Sequence, residues 1–259
     1  MPQFAANLSM MFNEVPFLDR FALAAKAGFK GVEFLFPYDH PAAEIAARLK
    51  DNGLQQVLFN APAGDFGKGE RGMAAIPGKQ AAFRDSIKLA LEYATTLACP
   101  RLHIMAGLKP EVVAHDTLTA VYGANLAYAA EECAKVGVKP IIEPINHRDI
   151  PGFFLNTTDQ AAAIIAAIGP EKLGLQFDLY HCQITEGDVV KRVEKHLPLI
   201  AHMQVADTPG RHEPGTGEVN WPFVFKTIDA LGFRGWIGCE YRPAGETLAG
   251  LSWFAPYKD

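Results

Sequence analysis

The sequence predicts a (β/α)₈ TIM barrel, formed as a single domain over residues 1–259. Three observations lead there. Apolar runs of strand length alternate with helix-period segments, and the eight such runs match the number that closes a parallel sheet. The 259 residues fit the roughly 250 that eight βα units require. Finally, Glu143, Asp178, Gln204 and Glu240 each stand near the C-terminal end of an apolar run: KPIIEP, LGLQFD, LIAHMQ and WIGCEY. They recur at intervals close to one βα unit, roughly 30 residues. Four successive strands would therefore bring them to one mouth.

Taken in order, the first apolar run is 4–9, and the Ala- and Leu-rich segment 17–27 after it has helix composition. The second run, 31–36, ends its strand on Glu33 and precedes the helix expected at 42–52. The third, 54–60, feeds a long loop, 61–78, rich in glycine and containing Asp65, Glu70 and Arg71. Loops of that length are usually functional, and this one is read as a lid over the mouth. Helix 80–97, strand 102–106, helix 118–136 and strand 140–145 follow. The chain continues with helix 158–168, strand 173–178, helix 189–196, strand 200–206, helix 222–231 and strand 236–241. Two junctions echo one another, AGFKGVEF at 27–34 and LGFRGWIGCE at 231–240. Each places glycine where a helix should stop, because glycine takes positive φ at little cost, and each ends its strand on glutamate.

Composition narrows the function classes. A hydrophobic share of 49% with 20% charged residues belongs to an ordinary globular protein with a sizeable core. The formal net charge of −5 speaks against a nucleic-acid partner, which requires a basic surface. No apolar stretch approaches the roughly 20 residues that span a bilayer, and the start MPQFAANLSM lacks the features of a signal peptide. Cys99, Cys133, Cys182 and Cys239 are scattered without a CxxC pair, which suits buried, reduced thiols and a cytoplasmic location. Near the C-terminus, Trp253, Phe254 and Tyr257 either close the barrel bottom or join a partner in a homo-oligomer.

Three carboxylates and an amide meeting at one mouth need a cation to relieve their repulsion. An oxygen-dominated ligand set selects Mg²⁺ or Mn²⁺ over Zn²⁺, which prefers nitrogen and sulfur. Such a metal acts as a Lewis acid towards neighbouring carbon–oxygen groups and stabilises an enediolate. On the seventh strand His202 shares the inward face with Gln204, as a core histidine or as a partner to the site. Glu33 is expected to be paired structurally, and His103 to be a core residue. The turn at 215–218 lacks the lysine of a phosphate cradle and is read as shaping the mouth, with Glu218 holding Arg211.

The segments EPINHRDIPGF (143–153), QFDLYHCQ (176–183), HMQVADTPGRHEPGTGEVNW (202–221) and WIGCEYRP (236–243) resemble the hydroxypyruvate isomerases of the xylose-isomerase-like barrels. FAANLSMMF, GVEFLFPYD and GERGMAAIPG extend the resemblance over essentially the whole chain. It implies Glu143 and Glu240 as proton donor and acceptor, and Glu143, Asp178, Gln204 and Glu240 as metal ligands. It also implies His181 and Arg211 as substrate contacts. Related sugar epimerases carry histidine where Gln204 stands. The implied reaction interconverts hydroxypyruvate and 2-hydroxy-3-oxopropanoate. The alternative substrate is 2-oxo-tetronate, one carbon longer and isomerised by the same mechanism. Arg211 could hold the substrate carboxylate bidentately, and His181 could hydrogen-bond a substrate oxygen. A phosphodiesterase or apurinic endonuclease would instead need a histidine-rich multi-zinc site and a basic groove. A non-catalytic sugar-acid binding protein would survive loss of Glu240.

Overall fold

Each expected strand forms and pairs in parallel with its neighbour in sequence. They are β1 (Gln3–Asn7), β2 (Gly31–Glu33), β3 (Gln55–Asn60), β4 (Arg101–His103), β5 (Lys139–Ile142), β6 (Gly174–Asp178), β7 (Ile200–Gln204) and β8 (Trp236–Cys239). β1 pairs with β8, which closes the barrel. The structure, a computed structural model, describes residues 1–258. The helices are α1 (Arg20–Ala27), α2 (Ala42–Asp51), α3 (Gln80–Thr96), α4 (His115–Ala134), α5 (Thr158–Ile168), α6 (Leu179–Thr185), α7 (Val189–His196) and α8 (Trp221–Ala230). α6 lies outside the helices expected from the sequence. It starts because the Asp178 carboxylate accepts from the backbone N–H of Tyr180 at 2.7 Å, capping a short turn at the strand end.

Where an eighth long helix would complete the outer ring, a 3-10 segment, Ala249–Tyr257, fills the space. Its aromatics pack on Phe4 of β1, with ring centroids 5.1 Å away for Trp253, 6.0 Å for Phe254 and 5.1 Å for Tyr257. Phe254 also stacks on Phe29 at 4.3 Å. The C-terminal aromatics therefore seal the seam between α8 and α1 within the chain. Burying Phe254 this way stabilises by about 1.5–3 kcal/mol, and the half-buried Trp253 and Tyr257 contribute less.

Inside the barrel, alternate residues of each strand share the inward face. On β8 these are Trp236 and Gly238, and on β6 Gly174, Gln176 and Asp178. Gly31 lacks a side chain because the Trp236 ring occupies its space: a Cβ there would lie 2.8 Å from the indole. Arg101 of β4 reaches across this bottom layer and donates to the carbonyl of Ala201 at 2.8 Å. The interior thus grades from packed at the bottom to polar in the middle and ionisable at the C-terminal mouth, where TIM-barrel active sites lie.

The 61–78 loop is anchored rather than free. Gly72 bridges to Ala106 just beyond β4, and Glu70 accepts from Lys79 Nζ at 2.8 Å and from the Asp65 N–H at 2.7 Å. Gly72 sits at positive φ against the Met105 carbonyl, which leaves no space for a Cβ. The strand expected at 102–106 is correspondingly short. Its last residues leave the parallel ladder to hold this loop.

Candidate active site

Glu143 and Glu240 each stand one residue beyond their strands, β5 and β8, and Asp178 ends β6. Together with His181 on α6, they bring one ligand-type atom each to within 4.8 Å of one another. Glu143, Asp178, His181 and Glu240 are all at most 5% exposed. Glu143, His181 and Glu240 line a cavity of about 530 Å³, whose walls also include Asn60, Phe66, Arg71, His103, Met105, Tyr180, Arg211 and Arg242. The sequence thus placed three acids at one mouth, and the structure brings them together.

Burial in the absence of sufficient counter-charge shows in their proton affinities. Burial and the neighbouring Glu240 and Asp178 push Glu143 well above the usual carboxylate range. Burial raises Glu240 to about 8 against the opposing pull of Arg211. Burial also raises Asp178 to about 6, although Arg211 and the Tyr180 N–H work the other way. Burial would lower Arg211, yet Glu240, Asp178 and Asp149 outweigh it and hold the guanidinium firmly charged.

Arg211 is committed within the site. It pairs through Nη2 with Glu240 at 2.6 Å and through Nη1 with Asp149 at 2.9 Å, and its guanidinium lies 5.0 Å from the Tyr180 ring. Glu218 does not hold it. The Glu218 carboxylate accepts from Thr208 Oγ1 at 3.0 Å instead. The turn that presents Arg211 is built on buried Asp207, which accepts from the N–H groups of Thr208, Gly215, Gly217 and Val219 at 2.9, 2.8, 2.9 and 3.3 Å. Asp207→Ala should strand those amides, lower stability by about 3 kcal/mol and displace Arg211. Denaturant melts would show the loss, and an unchanged midpoint would refute the assignment.

Gln204, expected among the ligands, ends β7 in register with Asp178, with its side chain in the polar layer around Glu33. Its amide nitrogen donates to Glu33 at 2.8 Å and its oxygen accepts from Gln176 Nε2 at 2.5 Å, so both polar atoms are engaged away from the acids. Glu33 is the hub of this layer. It also accepts from Asn7 at 3.0 Å and faces His202 Nε2 at 2.6 Å, consistent with the structural pairing expected for it. Gly238 must be glycine because a Cβ would collide with the Glu33 carboxylate.

His181 stands in the site, as expected, but the place of His103 and the tautomer of either ring were not legible in the sequence. His103, expected in the core, lines the cavity with Nε2 3.7 Å from Glu143. Its Nδ1 meets Asn60 Oδ1 at 3.2 Å, which makes Nδ1 the donor and leaves Nε2 as a lone pair facing the site. His181 has the opposite arrangement. Asn146 Oδ1 accepts from the Asp149 N–H, so its Nδ2 is the donor towards His181 Nδ1. The proton of His181 then sits on Nε2, 3.6 Å from Asp178 and 3.9 Å from Glu143. In this tautomer His181 is a donor into the site rather than a metal ligand. Burial keeps both rings neutral, lowering His103 to about 3 with help from His202, and His181 well below its ordinary value.

A closed parallel barrel with an acid cluster at its C-terminal mouth defines a class, and the comparisons identify it. The sequence profile of the xylose isomerase-like TIM barrel family matches residues 21–257. The chain belongs to that family. It is 55% identical over 257 residues to a 2-oxo-tetronate isomerase of Cupriavidus necator, covering 99% of each chain. It is 45% identical over 258 residues to the hydroxypyruvate isomerase of Escherichia coli, covering 100% of each. A crystal structure described as AP endonuclease, family 2, from Brucella melitensis superimposes with a TM-score of 0.98 at 49% identity over 100% of both chains. The protein is an enzyme of the isomerase class, from the group of hydroxypyruvate and 2-oxo-tetronate isomerases. Among the described residues no helix is long and apolar enough to cross a membrane.

Proposed function

We propose that this enzyme moves a carbonyl between C2 and C3 of a short hydroxy-oxo acid through an enediolate, with 2-oxo-tetronate as the preferred substrate and hydroxypyruvate as a slower one. The observation that carries the chemistry is the buried cluster of Glu143, Asp178 and Glu240 beside two neutral histidines of opposite tautomer. The four-carbon acid moves ahead of the three-carbon acid that the sequence favoured on two grounds: the relative at 55% identity is named for it, and a cavity of about 530 Å³ has room for the extra CH₂OH.

The acids fit a divalent cation. Glu143 Oε1 and Asp178 Oδ2 are buried and have no hydrogen-bond partner among the described residues. Such orphan carboxylate oxygens are costly unless counter-charge meets them. Glu143, Asp178 and Glu240 would hold the ion, and their hard oxygen donors favour Mg²⁺ or Mn²⁺. When bound, it would supply Lewis-acid stabilisation for negative charge on the C2 and C3 oxygens.

The protein's own groups account for the proton movements. One glutamate of the pair Glu143 and Glu240, ionised, takes the proton from C3, and the other, protonated, returns one to C2. Burial raises the proton affinity of both in the metal-free site, and a bound cation would lower it again, which is what would let one of them act ionised as the base. The hydroxyl proton must also pass from one oxygen to the other. His181, a donor, and His103, an acceptor, are placed to serve the two oxygens. Arg211 holds Glu240 in position and offsets the growing negative charge.

The test is a substrate panel, with added Mg²⁺ or Mn²⁺ and with chelator. Turnover of 2-oxo-tetronate faster than of hydroxypyruvate, lost with chelator, is expected. Failure to isomerise either acid would overturn the proposal. The name carried by the Brucella relative makes abasic DNA a necessary arm. No cleavage is expected, because the site has three acids and donor-type His181 rather than a histidine-rich multi-zinc set.

A further inference from the structure

We infer that the carboxylate of the substrate is anchored not by Arg211 but by Arg71, presented over the cavity by the loop between β3 and α3. The inference deepens the functional proposal and rests on it only for the identity of the ligand. Arg211, the expected anchor, has both Nη groups committed to Glu240 and Asp149, and only its Nε lacks a partner. A substrate carboxylate would therefore have to compete with Glu240 and Asp149 for both of its Nη groups.

Three other arginines line the same cavity, Arg71, Arg148 and Arg242. Among the described residues none of them forms an ion pair, so the cavity wall carries positive charge without a protein counter-charge. Arg148 and Arg242 are exposed, whereas Arg71 is half-buried and held from two sides. Its Nη1 donates to the carbonyls of Phe66 at 3.0 Å and Glu70 at 2.9 Å, and its guanidinium lies 3.9 Å above the Phe66 ring. Both protons of Nη1 are thereby used. The Nε–Nη2 edge, which a carboxylate takes side-on through two parallel hydrogen bonds, is left without a protein acceptor. A side chain fixed in this way loses little further freedom on binding.

The loop is built to hold that edge still. Glu70, next in sequence, ties the loop to Lys79 and to the Asp65 N–H, and Gly72 fastens its far side to Ala106. Glu70 faces Lys79 and the backbone, so its charge is already satisfied and does not compete for Arg71. The ligand class is a small monocarboxylate with oxygen on the adjacent carbon. Its carboxylate would lie on the loop and its reacting carbons over Glu143 and Glu240.

Arg71→Met keeps an apolar stem over Phe66, and Arg71→Lys keeps the charge without the fork. Two readouts on the metal-supplemented protein test the assignment. Calorimetric titration with glycerate, a hydroxy monocarboxylate with no carbonyl to isomerise, should show affinity about 30- to 100-fold weaker in Arg71→Met, with Arg71→Lys recovering only part. In turnover, KM for the acid should rise far more than kcat falls. The preference for hydroxypyruvate over dihydroxyacetone, in which CH₂OH replaces the carboxylate, should drop by a similar factor. Glycerate affinity within twofold of wild type in Arg71→Met, or equal losses on the acid and the neutral substrate, would overturn the inference. A wild-type protein that binds glycerate through Arg71 but isomerises neither acid would leave the anchor standing and defeat only the functional proposal.

Discussion

Replacing Glu240 by Gln should lower kcat by about 10³–10⁴-fold, within or near the range a general acid–base group contributes. The amide preserves shape but can neither take nor return a proton, and it weakens the 2.6 Å pairing with Arg211. Glu143→Gln should be comparably severe, and the double variant little worse than either, because the two glutamates act as a unit. Thermal melts of both variants at neutral pH in chelator should stay close to wild type, since the raised proton affinities leave these carboxyls largely neutral there and the amide is their near-isostere. That combination of lost turnover and retained stability marks a functional acid rather than a structural one. A Glu240→Gln enzyme within tenfold of wild-type kcat would remove Glu240 from the chemistry.

The second large effect concerns pH and metal. In metal-free protein Glu143, Asp178 and Glu240 all have folded-state proton affinities above those of the unfolded chain, with Asp178 near 6 and Glu240 near 8. A carboxyl raised in this sense contributes stability that is full below its unfolded pKa and lost as pH rises through its folded value. His103 and His181 are lowered, so their contribution is full above about 6.5 and lost as pH falls below it. The two trends oppose each other at acid pH but not above about 6.5. Between about pH 6.5 and 8 the melting temperature in chelator should therefore decline.

A divalent cation should reverse the decline, because it replaces the protons those carboxylates give up. At a hundredfold excess over Kd the gain is about 2.7 kcal/mol, about 5–10 °C for a chain of this size. The increment should grow with pH and be accompanied by proton release in calorimetry. A melting temperature indifferent to Mg²⁺ and Mn²⁺ across this range would argue that the acids do not hold a cation.

Much of the fold was legible because each level of the sequence agreed with the others. Strand-length apolar runs, alternating helices and glycine stops all specified the same barrel, and all eight strands formed where runs had been read. The misses have local causes. α6 was invisible because its start depends on one side-chain cap by Asp178, a residue whose other oxygen faces the site. β4 ends early because its last residues turn to hold Gly72 of the loop.

At the site, Glu143, Asp178 and Glu240 were readable because an acid at a barrel strand end has one mouth to face. The rest depended on partners from distant elements. His103 could not be separated from a core histidine without knowing that Asn60 sits beside it, 43 residues away. The orientation of Gln204 rests on Glu33, 171 residues away, and on Gln176. The commitment of Arg211 to Asp149, on the β5–α5 loop, likewise shows only in three dimensions.

By itself the sequence determined the barrel and the convergence of three acids at its mouth. Strand period and unit length are local, repeated properties, and a closed cylinder leaves little freedom in where strand ends point. Only the tertiary structure decided which histidine donates, which accepts, where Gln204 turns and which arginine keeps a free edge. Each of those depends on a single hydrogen-bond partner brought close by folding, and no spacing along the chain encodes it.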